Sequence, residues 1–239
     1  MKLSSIISKE YSSLEEREKY FIKRGSNAIV ERLDKELNLW KSITSNPDFY
    51  NPYTRCAEYF YEGIRKIPYG RDEITECSVL FQKYQEHSRF NRVGSFLTKL
   101  IELHHETEKK KEEYLIITGD MKKPYTQIGI GSPANIRILG DVGEKVGWGS
   151  TGKITVCGNA DYQAGYRMES GTLIIEGNTG YGLGEQMVGG VIYVKKNAGN
   201  HIGSQREGGE IHIDGTYGDL SSIFEGGKVF HQGRCICSK

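Results

Sequence analysis

Residues 171–189 read GTLIIEGNTGYGLGEQMVG, and the same phrase returns on both sides of them. Upstream lie ANIRILGDVGEKVGWGST at 134–151 and GKITVCGNADYQAGYRMES at 152–170; downstream lie GVIYVKKNAGNHIGSQREG at 190–208, GEIHIDGTYGDLSSIFEG at 209–226 and GKVFHQGRC from 227. The opening glycines Gly152, Gly171, Gly190, Gly209 and Gly227 stand 19, 19, 19 and 18 residues apart. A fixed period of this length marks a stacked-repeat architecture. Within each copy, Ile154/Val156, Leu173/Ile175, Ile192/Val194 and Ile211/Ile213 are apolar pairs two apart, which places both members on one face of a strand. A single segment cannot bury its pair. Copies stacked at about 4.8 Å can. The pattern predicts a right-handed parallel β-helix. Leu115 to Gly119 reads as an incomplete first coil, and Gly227 to Gly233 as the start of a last one, with His231 in an apolar slot.

The rest of the template also recurs. Gly140, Gly158, Gly177 and Gly215 follow the strands, and Asn159, Asn178 and Asn197 come next. Glycine and asparagine tolerate left-handed backbone, so a left-handed corner is expected there. Its asparagines are expected to stack as a side-chain ladder. Further glycines recur at Gly143, Gly180, Gly199 and Gly218, and at Gly147, Gly165, Gly184 and Gly203. Val146, Ala164, Leu183 and Ile202 precede the last set, and Met168 and Met187 suit a further inward slot.

The G-N-x-G-x-x-x-G-x-x-M-x-G-G string at Gly177 to Gly190, with imperfect copies at Gly158 to Gly171 and Asn197 to Gly209, resembles the GXGXG β-helix domain. Gly180, Gly182 and Gly184 spell out its name. That domain closes the large subunit of glutamate synthase and makes up one of the subunits of formylmethanofuran dehydrogenase. The resemblance covers about residues 115–233. It implies a structural domain that holds other domains or subunits in place, and it supplies no catalytic residue, cofactor or metal.

The first half of the chain obeys different rules. Of 30 glycines, 4 lie in residues 1–118 and 26 in residues 119–239, so only the second half must turn often. Ser12 to Glu15 fits a capping box. Phe21, Ile22, Ile29, Leu33, Leu37, Trp40 and Ile43 follow at helical spacing until Asn46-Pro47. A second helix carries Tyr53, Cys56, Phe60, Ile64 and Ile67. A third, capped by Asp72, carries Ile74, Cys77, Leu80, Phe81 and Tyr84. A fourth runs from about Arg89 to Glu112 with Val93, Leu97, Leu100, Ile101 and His104 on its buried side. These predict a helical bundle or two hairpins. The fold expectation is therefore α+β in two domains, a helical one at 1–114 and a β-helix at 115–239. The run from Glu106 to Glu113 reads as a solvated helix face with ion pairs three and four apart. Tyr53, Tyr59, Phe60, Tyr61, Tyr69 and Tyr84 read as core and helix seam, with a partner-docking surface as the alternative.

The net charge of +1 leaves no strong field to attract nucleic acid or a membrane surface. The first residues are too briefly apolar for a secretory signal, and no apolar run reaches spanning length. The expectation is a cytoplasmic protein. Five scattered cysteines do not suggest a disulfide framework.

Sharper chemistry finds little support in the residues. Gly180 to Gly184 lacks the strand-to-helix setting of a dinucleotide loop. Glu176, Glu185, Glu210 and Asp214 are the carboxylates a glycosidase would draw on, with no paired motif among them. No G-x-S-x-G is present. His231, Cys235 and Cys237 form an H-x3-C-x-C set that offers three zinc-type ligands, and Cys77, His87, His104 and His105 offer a weaker one. The main expectation is a non-catalytic scaffold that bridges partner subunits, with a homo-oligomer as a further option. The competing one is an enzyme or ligand-binding protein whose cleft lies between the two domains, lined by Trp148, Tyr166, Arg167, Glu185, Gln186, His201 and Gln205.

Overall fold

The computed structural model describes residues 28–43, 62–85, 93–108, 112–119, 121–223 and 225–238 of the 239. Among the described residues eight strands form one sheet in chain order. They are β1 (Tyr114–Gly119), β2 (Ile136–Gly140), β3 (Lys153–Val156), β4 (Thr172–Ile175), β5 (Val191–Val194), β6 (Glu210–Ile213), β7 (Lys228–His231) and β8 (Arg234–Ser238). Pairing is parallel from β1 to β7, so each step to the next strand is one coil of a β-solenoid.

Register explains why the repeat has its period. Tyr114, Ile136, Ile154, Leu173, Ile192, Ile211 and Val229 are successive partners and form one fully buried column. Ile116, Ile138, Val156, Ile175, Val194 and Ile213 form the second, which His231 continues. Each buried aliphatic contributes about 1.5–3 kcal/mol relative to an exposed one. A slip of one residue would turn both columns to solvent. Each coil closes through a second contact line of single bridges, Val142–Ala160–Thr179–Ala198–Tyr217.

The asparagine ladder is present. The Asn159 amide donates to Asp141 Oδ1 at 2.7 Å, the Asn178 amide to Asn159 Oδ1 at 2.8 Å and the Asn197 amide to Asn178 Oδ1 at 3.1 Å. Thr216 ends the row on Asn197 Oδ1 at 2.9 Å. The corner is left-handed only at its first coil, at Gly140 (φ 116°), which corrects the expectation for the others: Gly158, Gly177 and Gly215, and Asn159, Asn178 and Asn197, lie outside the positive-φ set. Glycine is needed at Gly177 because a Cβ there would stand 2.5 Å from the Gly158 carbonyl oxygen of the preceding coil. The left-handed residues fall later, at Gly165 (φ 69°) and Gly184 (φ 63°) among others.

The solenoid's last step is a reversal. Gln232 (φ 49°) and Gly233 (φ 75°) are the two central residues of a hairpin turn with both φ positive, the arrangement that suits strand twist. β8 accordingly runs antiparallel to β7.

The helices sit at the other end. α1 spans Ala28–Ile43, α2 Arg71–Leu80, continued by a 3-10 turn over Phe81–Tyr84, and α3 Val93–Thr107. α2 lies along β1 and packs on α3, where Phe81 meets Phe96 at 6.0 Å. Leu33, Leu37, Ile64, Ile74, Phe96, Leu97, Leu100 and Ile101 join the solenoid interior in one contiguous apolar cluster. The capping box at Ser12 and the residues Phe21, Ile22, Tyr53, Cys56, Tyr59, Phe60 and Tyr61 lie outside the described residues. Gly70, not Asp72, caps α2, with Glu73 Oε2 accepting its amide at 2.8 Å. α3 ends at Thr107, short of Glu112, and the charge run pairs across the fold. Glu106 meets Arg65, Glu108 and Glu112 both meet Arg71, and Glu113 meets Arg137. Among the described residues no helix is long and apolar enough to cross a membrane.

Candidate functional site

Two places gather polar side chains. The first is a cleft of about 400 Å3 where α2, α3 and β1 converge, lined by Arg71, Glu73, His104, Glu108, Glu112 and Leu115 among others. Arg71 opens α2. Its guanidinium holds Glu108 at 3.1 Å and Glu112 at 3.0 Å and lies 5.2 Å from the Tyr114 ring centre. His104 Nδ1 and the Tyr114 hydroxyl are 2.9 Å apart. Burial holds the His104 imidazole below the usual histidine range, and Arg71 adds to this while Glu108 opposes it. Burial pushes the Tyr114 phenol up to about 12, with Arg71 opposing. A neutral imidazole bonded to a protonated phenol is a stable structural pair. Tyr114 is fully buried, so its hydroxyl offers no nucleophile to the cleft.

The seven residues assigned to an inter-domain cleft do not line it. The structure brings them together elsewhere, as a strip along the solenoid's own flank. Trp148 meets Tyr166 edge-on at 5.5 Å, and Lys145 Nζ lies over both rings at 5.2 and 5.6 Å. Tyr166 donates its hydroxyl to Gln186 Oε1 at 2.9 Å, and Arg167 Nε donates to the same oxygen at 2.7 Å. Gln186 Nε2 donates in turn to Gln205 Oε1 at 2.9 Å. Gln163 Nε2 donates to Glu185 at 2.8 Å, while Tyr162, Tyr181 and His201 stack with centroids 5.6 and 5.0 Å apart and planes 6° and 9° from parallel.

The backbone beneath this strip is unusual. Lys145, Gln163, Arg167, Gln186, His201 and Gln205 all have φ between 50° and 64°. Left-handed backbone costs a non-glycine residue about 1–2 kcal/mol. In the column of Arg167, Gln186 and Gln205 the earlier coils carry glycine, Gly131 and Gly149, and in the column of Lys145, Gln163 and His201 one coil carries Gly182. The long side chains therefore repay a local strain through the ladder they form, and strained positions of this kind concentrate where a surface has a task. Sequence reading missed Lys145, Tyr162, Gln163 and Tyr181. The 19-residue step from Tyr162 to Tyr181 was a visible signal.

The remaining candidates separate. β7 and β8 pair with a bulge, so Cys237 opposes buried Val229 while Cys235 opposes Phe230 on the outer face. His231 Nε2 bonds the Gly215 carbonyl at 2.8 Å, and Cys237 Sγ lies 3.5 Å from Arg206. That bulge is why the H-x3-C-x-C set does not converge. Among the described residues no three His, Cys, Asp or Glu side chains could hold a metal ion. Cys77 is wholly buried in the apolar core, and His87 lies outside the described residues. Asp214 is paired with Lys195 at 3.2 Å, Glu210 with His212 at 3.2 Å, and Glu176 is exposed on an outer face. Arg206 was not foreseen. It fills the inward slot of Met168 and Met187, 19 residues on, and is fully buried.

No protein-family model, curated protein or solved structure matches this chain.

Proposed function

We propose that the protein is a non-catalytic scaffold that positions partner subunits through the flank strip. On this reading the chain has two parts, a helical unit over 1–114 and a right-handed solenoid of the GXGXG kind over 115–239. The partners are enzyme subunits of the glutamate synthase-like or formylmethanofuran dehydrogenase-like sort, met in the cytoplasm. One observation carries the proposal: the rows Tyr162–Tyr181–His201 and Arg167–Gln186–Gln205 run in step with the coils. Rigid aromatic and amide rows of this type suit protein recognition, where Tyr and Arg anchor interfaces. The rings of Tyr162, Tyr181 and His201 stack on one another, so Tyr181 has both faces covered and offers none for face-on stacking with a sugar.

The test is to recover the full chain from its native host under native mass spectrometry, beside a Tyr162→Ala/Tyr181→Ala/His201→Ala variant. A defined stoichiometric complex with the native chain, lost in the variant while the circular dichroism is unchanged, supports the proposal. A native chain recovered only alone, or a complex indifferent to the triple change, refutes it. A ligand-binding role for the cleft at Arg71 and His104 is the second reading, supported by the cleft's volume and its convergent charged groups.

A further inference from the structure

A solenoid has two ends, and each end strand exposes backbone groups able to accept another strand. At β1 the register settles which groups these are. Ile116 pairs with Ile138, and the Tyr114 amide donates to the Asn135 carbonyl at 2.8 Å, so Tyr114 and Ile116 address β2. Leu115 and Ile117, alternating with them, turn their backbone the other way. A further coil would bond to those two residues.

α2 occupies their place. Thr75 Oγ1 donates to the Leu115 carbonyl at 2.9 Å, the Ile117 amide donates to Ser78 Oγ at 2.9 Å, and Gln82 Nε2 donates to the Ile117 carbonyl at 2.8 Å. A helix spends its own amides and carbonyls internally, so only side chains can serve a strand edge. Thr75 and Ser78 are three apart and Gln82 follows four later, which sets all three on one helix face. All three are buried polar residues, Thr75 and Ser78 on α2 and Gln82 on its 3-10 continuation, beside the buried Ile74, Glu76, Cys77 and Val79 of α2. The Tyr125 hydroxyl donates to the Ser78 carbonyl at 2.8 Å and braces the helix from the solenoid side. Val79 meanwhile packs with Leu115, Ile117 and Leu139 on the sheet's outer face.

We infer that α2 is an edge plug that keeps a second copy of this chain from adding its strands to the β1 end of the sheet. The occupant it excludes is this chain itself, because over Tyr114 to Ile117 β1 keeps the same parallel register with β2 that the later strands keep with one another. The opposite end is managed by other means, the reversed strand β8. The role is independent of the scaffold proposal, since it concerns the sheet edge and not the flank.

The experiment compares the full chain with a Ser78→Ala/Gln82→Leu variant by amide hydrogen exchange and sedimentation velocity across a concentration series. Exchange at the Ile117 amide is expected to rise on the order of tenfold, and the variant is expected to form dimers or larger species at concentrations where the native chain is unchanged. Faster exchange with no change in size would overturn the plug, and so would unchanged exchange. If the double variant loses its circular dichroism, Thr75→Val decides. It keeps the side chain's shape and drops one edge bond, so a smaller shift toward association supports the plug and an unchanged size overturns it.

Discussion

Along the sheet, the inner column repeats one kind of residue: Ile136, Ile154, Leu173, Ile192, Ile211 and Val229, each closed off from solvent. Along the flank, a column of equal regularity holds Gly131, Gly149, Arg167, Gln186 and Gln205, all with positive φ. Both columns are set by the same coil rise, yet one fixes composition and the other fixes only conformation. The difference separates what the fold needs from what it merely tolerates. In the inner column every position from β2 to β7 holds an aliphatic side chain. A flank position is satisfied by glycine, so a longer side chain there answers to something else.

Substitutions can break that contrast. Leu173→Ala should cost about 2–5 kcal/mol in urea unfolding, as a buried leucine truncated between two neighbours leaves a cavity. A loss below about 1 kcal/mol would mean that the column is not close-packed. Gly177→Ala comes next, with an expected loss of about 1–3 kcal/mol from the clash with the Gly158 carbonyl. Asn178→Ala should cost about 1 kcal/mol, since it removes the Oδ1 that accepts the Asn197 backbone amide and the Nδ2 that donates to Asn159 Oδ1 in a solvent-exposed ladder. Gln186→Gly sharpens the comparison from the other side. Relief of the left-handed strain offsets the lost hydrogen bonds, so stability should stay within about 0.5 kcal/mol. A larger loss would mark Gln186 as structural and weaken the case for a working surface.

The helical end gives a test by pH. The folded His104 pKa lies below its unfolded value, so between the two the unfolded chain binds more protons. Stability should therefore fall as pH drops below about 6.5 and level off once both states are protonated. His104→Gln should flatten that part of the profile. An unchanged slope would assign the acid sensitivity to other groups.

The solenoid is legible in the sequence because its signals are periodic. Apolar pairs recurring every 19 residues admit few folds, and the asparagine row follows from the same alignment. Gly158 and Gly177 mislead on the reason for their presence. A sequence does not distinguish a glycine chosen for φ from one chosen because another coil's carbonyl lies against it. The flank residues stand out by their nearness to repeat glycines but not by their true place, because spacing along one coil says nothing about where the helices land. The edge bonds of Thr75, Ser78 and Gln82 are invisible for the same reason, as three polar residues on a helix announce no partner. Arg206 sits in plain view at a methionine position, yet a charged residue inside a column breaks the pattern that finds columns.

The most direct test of the stacked-coil account is a methyl NOE spectrum of the full chain. The expected result is cross-peaks from Ile192 to both Leu173 and Ile211, with none directly between Leu173 and Ile211, which lie two coils apart. An Ile192 methyl without contacts to those two residues would contradict the account.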